Sequence, residues 1–441
     1  MDLILSFAVF IAAMILSLIY RFSMVAPLLV GLCAFCLVAL RRGFRLGAVV
    51  RMAAAGAWES RFVVVVLLLI GCLTSLWRQT GTIAYFTYHG VRLIPQSVFI
   101  LAAFLLSALM SYALGTSFGV AGTIGVILMT IVRASGVSTV VAGGAIMSGI
   151  YFGDRGSPAA SSASLVAHET GTDVSVNFKR MLPSSLLPMA ICALLYGLLS
   201  AFNRPGSMDT ALLAGFEGEF RLSLWCLLPT VLLLTLAFAG MKIKKVMVIN
   251  IVLSAVLAVA LQGFSLTEVL RMTLLGYAPR NAALADVLSG GGIASMLEVN
   301  LILIISSAFS GIFEGTQMLA SVENSFTRLS GRIGRFGAMC VSAVATCAVF
   351  CNQTIGIIMC RQCMGKNYGD SPEERTAMML DMENSVITIA GLVPWCIASS
   401  VPLSMLGCDL RSLPFAAYLY LLPLCWFFHL KFQNKRNITA S

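Results

Sequence analysis

The chain has 441 residues, of which 59% are hydrophobic and only 11% are charged, with a mean hydropathy of +0.93. No soluble globular interior can hide that much apolar surface, so lipid must cover most of it, and a water-soluble enzyme or nucleic-acid-binding domain is excluded. The formal charge of +10 then belongs to segments between spans, where cytoplasmic loops are expected to be positive.

The fold class that follows is an all-α polytopic membrane protein. In chain order, the first span is expected at 3–20. It lacks a basic n-region and a small-residue cleavage site, so it reads as retained. A second span precedes Arg41, Arg42, Arg45, Arg51 and Arg61, which mark a cytoplasmic loop. Further spans are expected at 61–77, 182–201, 222–240, 245–262, 295–313 and 413–430, each near the roughly 20 residues a helix needs to cross. Lys179 with Arg180, then Lys242, Lys244 and Lys245, then Arg328, Arg332 and Arg335, and the tail "KFQNKRN" mark other cytoplasmic segments. Asp209, Glu217 and Glu219 fit an outside loop.

The spans at 61–77 and 182–201 must both run from inside to outside, so an odd number of crossings separates them. The apolar pieces 96–114 and 118–132 satisfy this as a re-entrant hairpin entering from outside. The piece 137–167 then crosses once, broken at "GDRGSP" (153–158). In the second half, 337–349 with 353–363 forms a hairpin from the inside, and 380–400 a broken crossing. The expectation is about ten crossing helices and two re-entrant hairpins, with both termini cytoplasmic. Arg78, Arg92 and Arg133 then fall outside, against the charge rule. The two halves have opposite orientation, and 73–84 can be laid over 309–320 at an offset of 236 residues, which also lays Thr116 on Asn352. This reads as an inverted repeat with two broken helices, as in secondary transporters whose site lies near the midplane. The corresponding division is 1–60, N-terminal helices and basic loop; 61–203, first half; 204–294, linking loop, two helices and outer loop; and 295–441, second half and C-terminal helix.

Non-helical backbone at membrane depth occurs only where protein buries it or it lines a wet cavity. Four stretches have that character: 114–125, 152–164, 350–356 and 382–395. Their expected breaks are Gly115, Gly119, Gly153, Gly156, Pro158, Gly391 and Pro394. Broken helices free carbonyls for a hard cation such as Na⁺ and amides for anions. The hydroxyl and amide oxygens of Thr116, Ser117, Ser157, Ser161, Asn352, Gln353, Asn384 and Ser385 add ligands. Asp154 and Glu383 are the acids in these breaks, and an acid there is functional by default. A carboxylate that takes either H⁺ or Na⁺ gives exchange directly. The competing reading of Asp154 is an internal pair with Arg155 or a helix cap. Glu314 is a further candidate, while Glu298 can simply snorkel and Asp381 can face a loop. Thirteen cysteines and three histidines scattered through the chain suggest neither a disulfide frame nor a metal centre. The Gly-rich "GTSFGVAGTIG" lacks the strand and Lys-Ser/Thr of a phosphate loop.

From about Arg61 to the C-terminus the sequence resembles the NhaC-type sodium/proton antiporter family. The motifs are "GTSFGVAGTIG", "GDRGSP", "MENSVITIAGLVPW" and "LGCDLRSLPFAAYLYLLPL". The resemblance implies a Na⁺-linked antiporter with its site at the broken helices and hairpin tips; relatives exchange Na⁺ for H⁺ or move organic acids or amino acids. Four positions depart from the family pattern. Ser161, Asn384 and Asn352 stand where it usually has Asp, and Arg155 where it commonly has His. Three acids are lost and one fixed cation is gained.

The reading is therefore a secondary antiporter of the cytoplasmic membrane exchanging Na⁺ for H⁺ by alternating access, with Na⁺ at Asp154 and Glu383. The alternative is a Na⁺- or H⁺-coupled carrier of an organic carboxylate or amino acid, with Arg155 holding the substrate carboxylate. Neither reading calls for a cofactor: Na⁺ and H⁺ enter as transported or coupling ions. The partners are the bilayer and a small ion or solute, not nucleic acid, and a homodimer is a candidate assembly. A channel would need a repeated filter motif, and an intramembrane enzyme a nucleophile with a base beside it. The sequence has neither.

Overall fold

Apolar runs become helices throughout the chain, because a backbone in lipid must satisfy its own N–H and C=O groups. In the computed structural model, residues 2–20, 22–202, 210–316 and 320–440 are described. Among them the regular elements are all helical, with one isolated bridge between Tyr277 and Gly290. Among the described residues five helices are long and apolar enough to cross a membrane: Arg61–Gln79, Ser117–Ser135, Val174–Phe202, Ile243–Gln262 and Ile293–Thr316. Shorter apolar helices include Leu5–Tyr20, Val25–Arg41, Phe99–Leu114, Leu224–Phe238, Arg335–Phe350 and Ile397–Leu406.

Several boundaries differ from expectation. The basic segment after the second span is largely the helix Leu46–Glu59. Its Ala-rich composition favours that, and Gly56 lies so close to the helix Leu297–Thr316 that a Cβ there would be 2.2 Å from Ser307 O. The span expected at 182–201 starts earlier, at Val174, and continues through Pro183 and Pro188. The basic tail is helical to Ala440. Asp209 and residues 317–319 of the compared segment 309–320 lie outside the described residues.

Two hairpins and two broken helices form the centre. The first hairpin joins Phe99–Leu114 to Ser117–Ser135, and the second joins Arg335–Phe350 to Gln353–Met364. The return arm of the first is 19 residues, longer than expected, and contains a π-helical turn at Ala121–Gly125. The first broken helix is Thr139–Gly156 followed by Ser161–Thr170. The second comprises Pro372–Glu383, Val386–Ala390 and Ile397–Leu406, interrupted at Asn384–Ser385 and again through Gly391 and Pro394.

An offset of 236 residues carries Arg61 onto Leu297, Phe99 onto Arg335, Leu114 onto Phe350 and Ser117 onto Gln353, all element boundaries. The hairpin tips also match. Gly115 has φ 64° and Cys351 has φ 54°, both left-handed, and Cys351 is the one non-glycine residue with positive φ among the described residues. The next residues, Thr116 and Asn352, are both extended N-caps, accepting from Gly119 N and Thr354 N. The same tip geometry is thus built twice, once with glycine and once with a strained cysteine.

Candidate ion-binding site and its cavity

The first broken helix ends where the two hairpin tips converge. Asp154, in its last turn, is 4% exposed. Its Oδ1 accepts from Ser117 N at 3.4 Å, at the start of the first hairpin's return arm. Its Oδ2 accepts from Gln353 Nε2 at 3.2 Å, at the same place in the second hairpin, and Ser162 Oγ donates to its main-chain oxygen. Gln353 Nε2 also donates to Ile387 O at 3.1 Å, tying the second hairpin to the second broken helix. One carboxylate therefore touches both hairpins and sits among helix ends whose partial charges favour ions.

A cavity of ≈ 640 Å³ reaches this carboxylate, lined by Asp154, Thr116, Ser117, Ser161, Ser162 and Gln353, with Phe62, Val66 and Lys242 among its outer residues. Of the residues singled out in the sequence, Asp154, Gly115, Thr116, Ser117, Gly119, Ser161 and Gln353 line it. Asn352 caps the helix beside it. Ser157 lies in the break and accepts from Ala159 N at 3.1 Å.

The other acid is placed differently. Glu383 is 0% exposed, lies outside the cavity wall, and neither of its carboxylate oxygens has a hydrogen-bond partner. Its main-chain oxygen accepts from Arg155 Nε at 3.2 Å.

Arg155, also 0% exposed, neither faces the cavity nor pairs with Asp154. Consecutive helix residues point in different directions, so it turns away into a cage of neutral oxygens. Nη2 donates to Asn384 Oδ1 at 2.6 Å, Ser184 Oγ at 2.7 Å and Met181 O at 3.3 Å, and Nη1 donates to Ser185 Oγ. Among the described residues no carboxylate lies within ion-pair distance of it. Asn384 thus serves Arg155, and its Nδ2 is unpartnered. Ser385 Oγ folds back on Asp381 O at 2.6 Å. Ser184 and Ser185 are not among the sequence candidates; their signal is a hydroxyl pair inside an apolar span.

Other expectations are corrected. Gly153 and Gly119 are helical, and the first break comes later, at 157–160, with Pro158 inside it. Gly153 is a contact point, because a Cβ there would fall 2.0 Å from Ser111 C. Gly156 closes the helix. Glu314 is exposed in the last turn of its helix and does not line the Asp154 cavity. Asp381 is buried rather than loop-facing, accepting from Tyr368 Oη at 2.7 Å and Trp426 Nε1 at 2.8 Å.

Comparison with known proteins places the chain among antiporters by sequence. The model of the Na⁺/H⁺ antiporter family matches residues 2–200 and 149–429. A malate-2H(+)/Na(+)-lactate antiporter of Bacillus subtilis (strain 168) is 26% identical over 75% of this chain and 72% of its own. The Na(+)/H(+) antiporter NhaC of Alkalihalophilus pseudofirmus is 25% identical, covering 81% and 79%. The arginine/ornithine antiporter ArcD of Halobacterium salinarum is 25% identical, covering 79% and 73%. With matches spanning well over half its length, this multi-pass helical chain belongs to the Na⁺/H⁺ antiporter family.

Proposed function

We propose that the chain is a secondary antiporter exchanging Na⁺ for H⁺ across the cytoplasmic membrane. The observation that carries this reading is Asp154, a carboxylate at the inner end of a cavity, bonded to both hairpin tips. A carboxylate in that position can hold a proton or, with neighbouring hydroxyl oxygens, a hard cation, but not both fully, and that competition is the exchange. Glu383, buried without a donor, is the second acid whose charge a cation or proton neutralises.

The cavity opens beside Lys242 and the start of Arg61–Gln79, where the basic residues cluster. By the positive-inside rule this mouth is cytoplasmic and both termini are on that side. The matching elements at an offset of 236 residues support two halves of inverted orientation, beginning near residues 61 and 295. Alternating access would close this mouth and open the opposite one.

In everted membrane vesicles, Na⁺ addition is expected to dissipate an imposed pH gradient, and Asp154→Asn to abolish that response. Wild-type exchange by Asp154→Asn would sink the assignment. A second reading, a carrier of a small organic carboxylate, is favoured by the cavity volume and by Lys242 on its wall, and no longer by Arg155. It predicts Na⁺- or H⁺-driven uptake of a labelled carboxylate, with no proton flux on Na⁺ alone.

A further inference from the structure

Three arginines, Arg78, Arg92 and Arg133, fall on the side opposite the lysine-rich loops. Arg92 stacks on the Tyr88 ring at 4.0 Å. Arg78 and Arg133 instead line one cavity of ≈ 450 Å³, at the far end of the same helix that borders the Asp154 cavity. Val66 lines the first cavity and Thr74 the second, a separation of about 12 Å along a helix.

Arg78 is 5% exposed. Its Nη1 donates to Thr74 O at 2.9 Å, and its buried Nε has no acceptor. Arg133 donates through Nη2 to the carbonyls of Leu406 at 2.6 Å and Gly407 at 3.2 Å. Among the described residues no carboxylate lies within ion-pair distance of either guanidinium. The acid on the cavity wall, Asp286, is solvent-exposed. A buried cation with an unused donor, sharing a cavity with a second cation, is costly unless a negative charge joins them.

We propose that this cavity binds a small organic carboxylate between Arg78 and Arg133. The planar fork of a guanidinium matches a carboxylate's two oxygens, and the volume accommodates several heavy atoms where a halide would fill little of it. Arg133 already ties the first hairpin to the end of Ile397–Leu406 in the second half, so an anion bridging it to Arg78 braces the joint between halves on this face. The site is separate from Asp154 and stands whichever substrate the transporter carries.

The test is thermal melting of the purified full-length protein in detergent with a fixed, saturating NaCl background, titrated with choline succinate or with choline chloride at equal ionic strength. Succinate is expected to raise the melting temperature saturably, as a ligand of the folded state does, and choline chloride to give no such rise. Arg78→Gln and Arg133→Gln are each expected to remove the rise, while Lys242→Gln, at the other cavity, retains it. Asp286→Asn is expected to lower the half-saturating concentration about two- to fivefold by removing a repelling charge near the surface. No rise in the wild type, an equal rise with choline chloride, or a rise that survives Arg78→Gln overturns the proposal. Loss of the rise in Lys242→Gln does so as well. Should Arg78→Gln not fold, an unchanged half-saturating concentration in Asp286→Asn overturns it.

Discussion

Glu383 brings a full carboxylate into the protein interior with no donor on either oxygen. A charge so placed costs several kcal/mol, and a bound cation or proton removes that cost. Replacing it with a neutral isostere should therefore stabilise the ion-free protein and erase the benefit of the ion. In Na⁺-free buffer at alkaline pH, where no proton neutralises the acid, Glu383→Gln is expected to be more stable than the wild type by about 1–3 kcal/mol, and to lack the rise in melting temperature that Na⁺ is expected to give the wild type. If the Na⁺-induced rise persists in Glu383→Gln, the residue is outside the cation site. The burial of both acids is legible in the sequence because each stands in an apolar run interrupted by small residues, where a carboxylate is costly and so marks a candidate site. The hydroxyls are not. A serine in a membrane helix can bond its own preceding turn, as Ser385 does to Asp381 O, or reach across, as Ser184 does to Arg155, and residue type alone does not separate these. Arg155 is hard to place for a related reason. Its sequence neighbour is Asp154, but the helix turns the two side chains to different sides.

Among the elements, the glycines in the first broken helix divide by what they touch. Gly153 packs against the first hairpin, where a Cβ would come 2.0 Å from Ser111 C and 2.2 Å from Tyr112 N, both backbone atoms that cannot swing aside. At Gly156 nothing lies within 4 Å of the same added atom. Gly153→Ala is expected to force the two helices apart and lower stability by about 1–3 kcal/mol, with exchange reduced because Ser111–Ser117 would shift against Asp154. Gly156→Ala should fall within about 0.5 kcal/mol of wild type. Equal melting temperatures for the two variants would mean that the close crossing is not maintained in the membrane. In the sequence both glycines read as breaks, since composition marks where small residues gather but not whether they bend the backbone or admit a neighbour. The hairpins and their 236-residue repeat are legible, because breaker residues at the tips punctuate apolar runs of similar length. The helix Leu46–Glu59 is not, because Arg51 and the arginines flanking the helix mark a segment between spans without saying whether its alanines make that segment a loop or a helix.

For the molecule as a whole, the two cavities face opposite ends of Arg61–Gln79, and the layer between them is thin. Leu67, Ile70 and Gly71 are buried there, and Gly122, in the π-helical turn of the first hairpin, packs directly on Ile70. A Cβ built at Gly122 would lie 3.7 Å from Ile70 Cβ and 3.5 Å from Met405 Sδ. The septum thus joins a helix of the first half, a hairpin turn, and the last segment of the second broken helix. The proposed alternating access requires such a septum to part when the mouth beside Lys242 closes, and π-turns are common where helices must adjust. The Cβ separation is close to the mean of about 3.8 Å for a disulfide, so Ile70→Cys combined with Gly122→Cys should oxidise without moving the backbone. The oxidised double variant is expected to lose Na⁺-driven proton flux while still binding Na⁺ through the open Asp154 cavity, and to recover the flux on reduction. The native Cys72 has a free thiol and lies only two positions from Ile70. Each single variant therefore serves as the control for an unintended pair, and each should transport in oxidising buffer. Full flux in the cross-linked protein would mean that Arg61–Gln79 and the first hairpin travel as one body, and the moving boundary would then have to lie at the second hairpin and its broken helix.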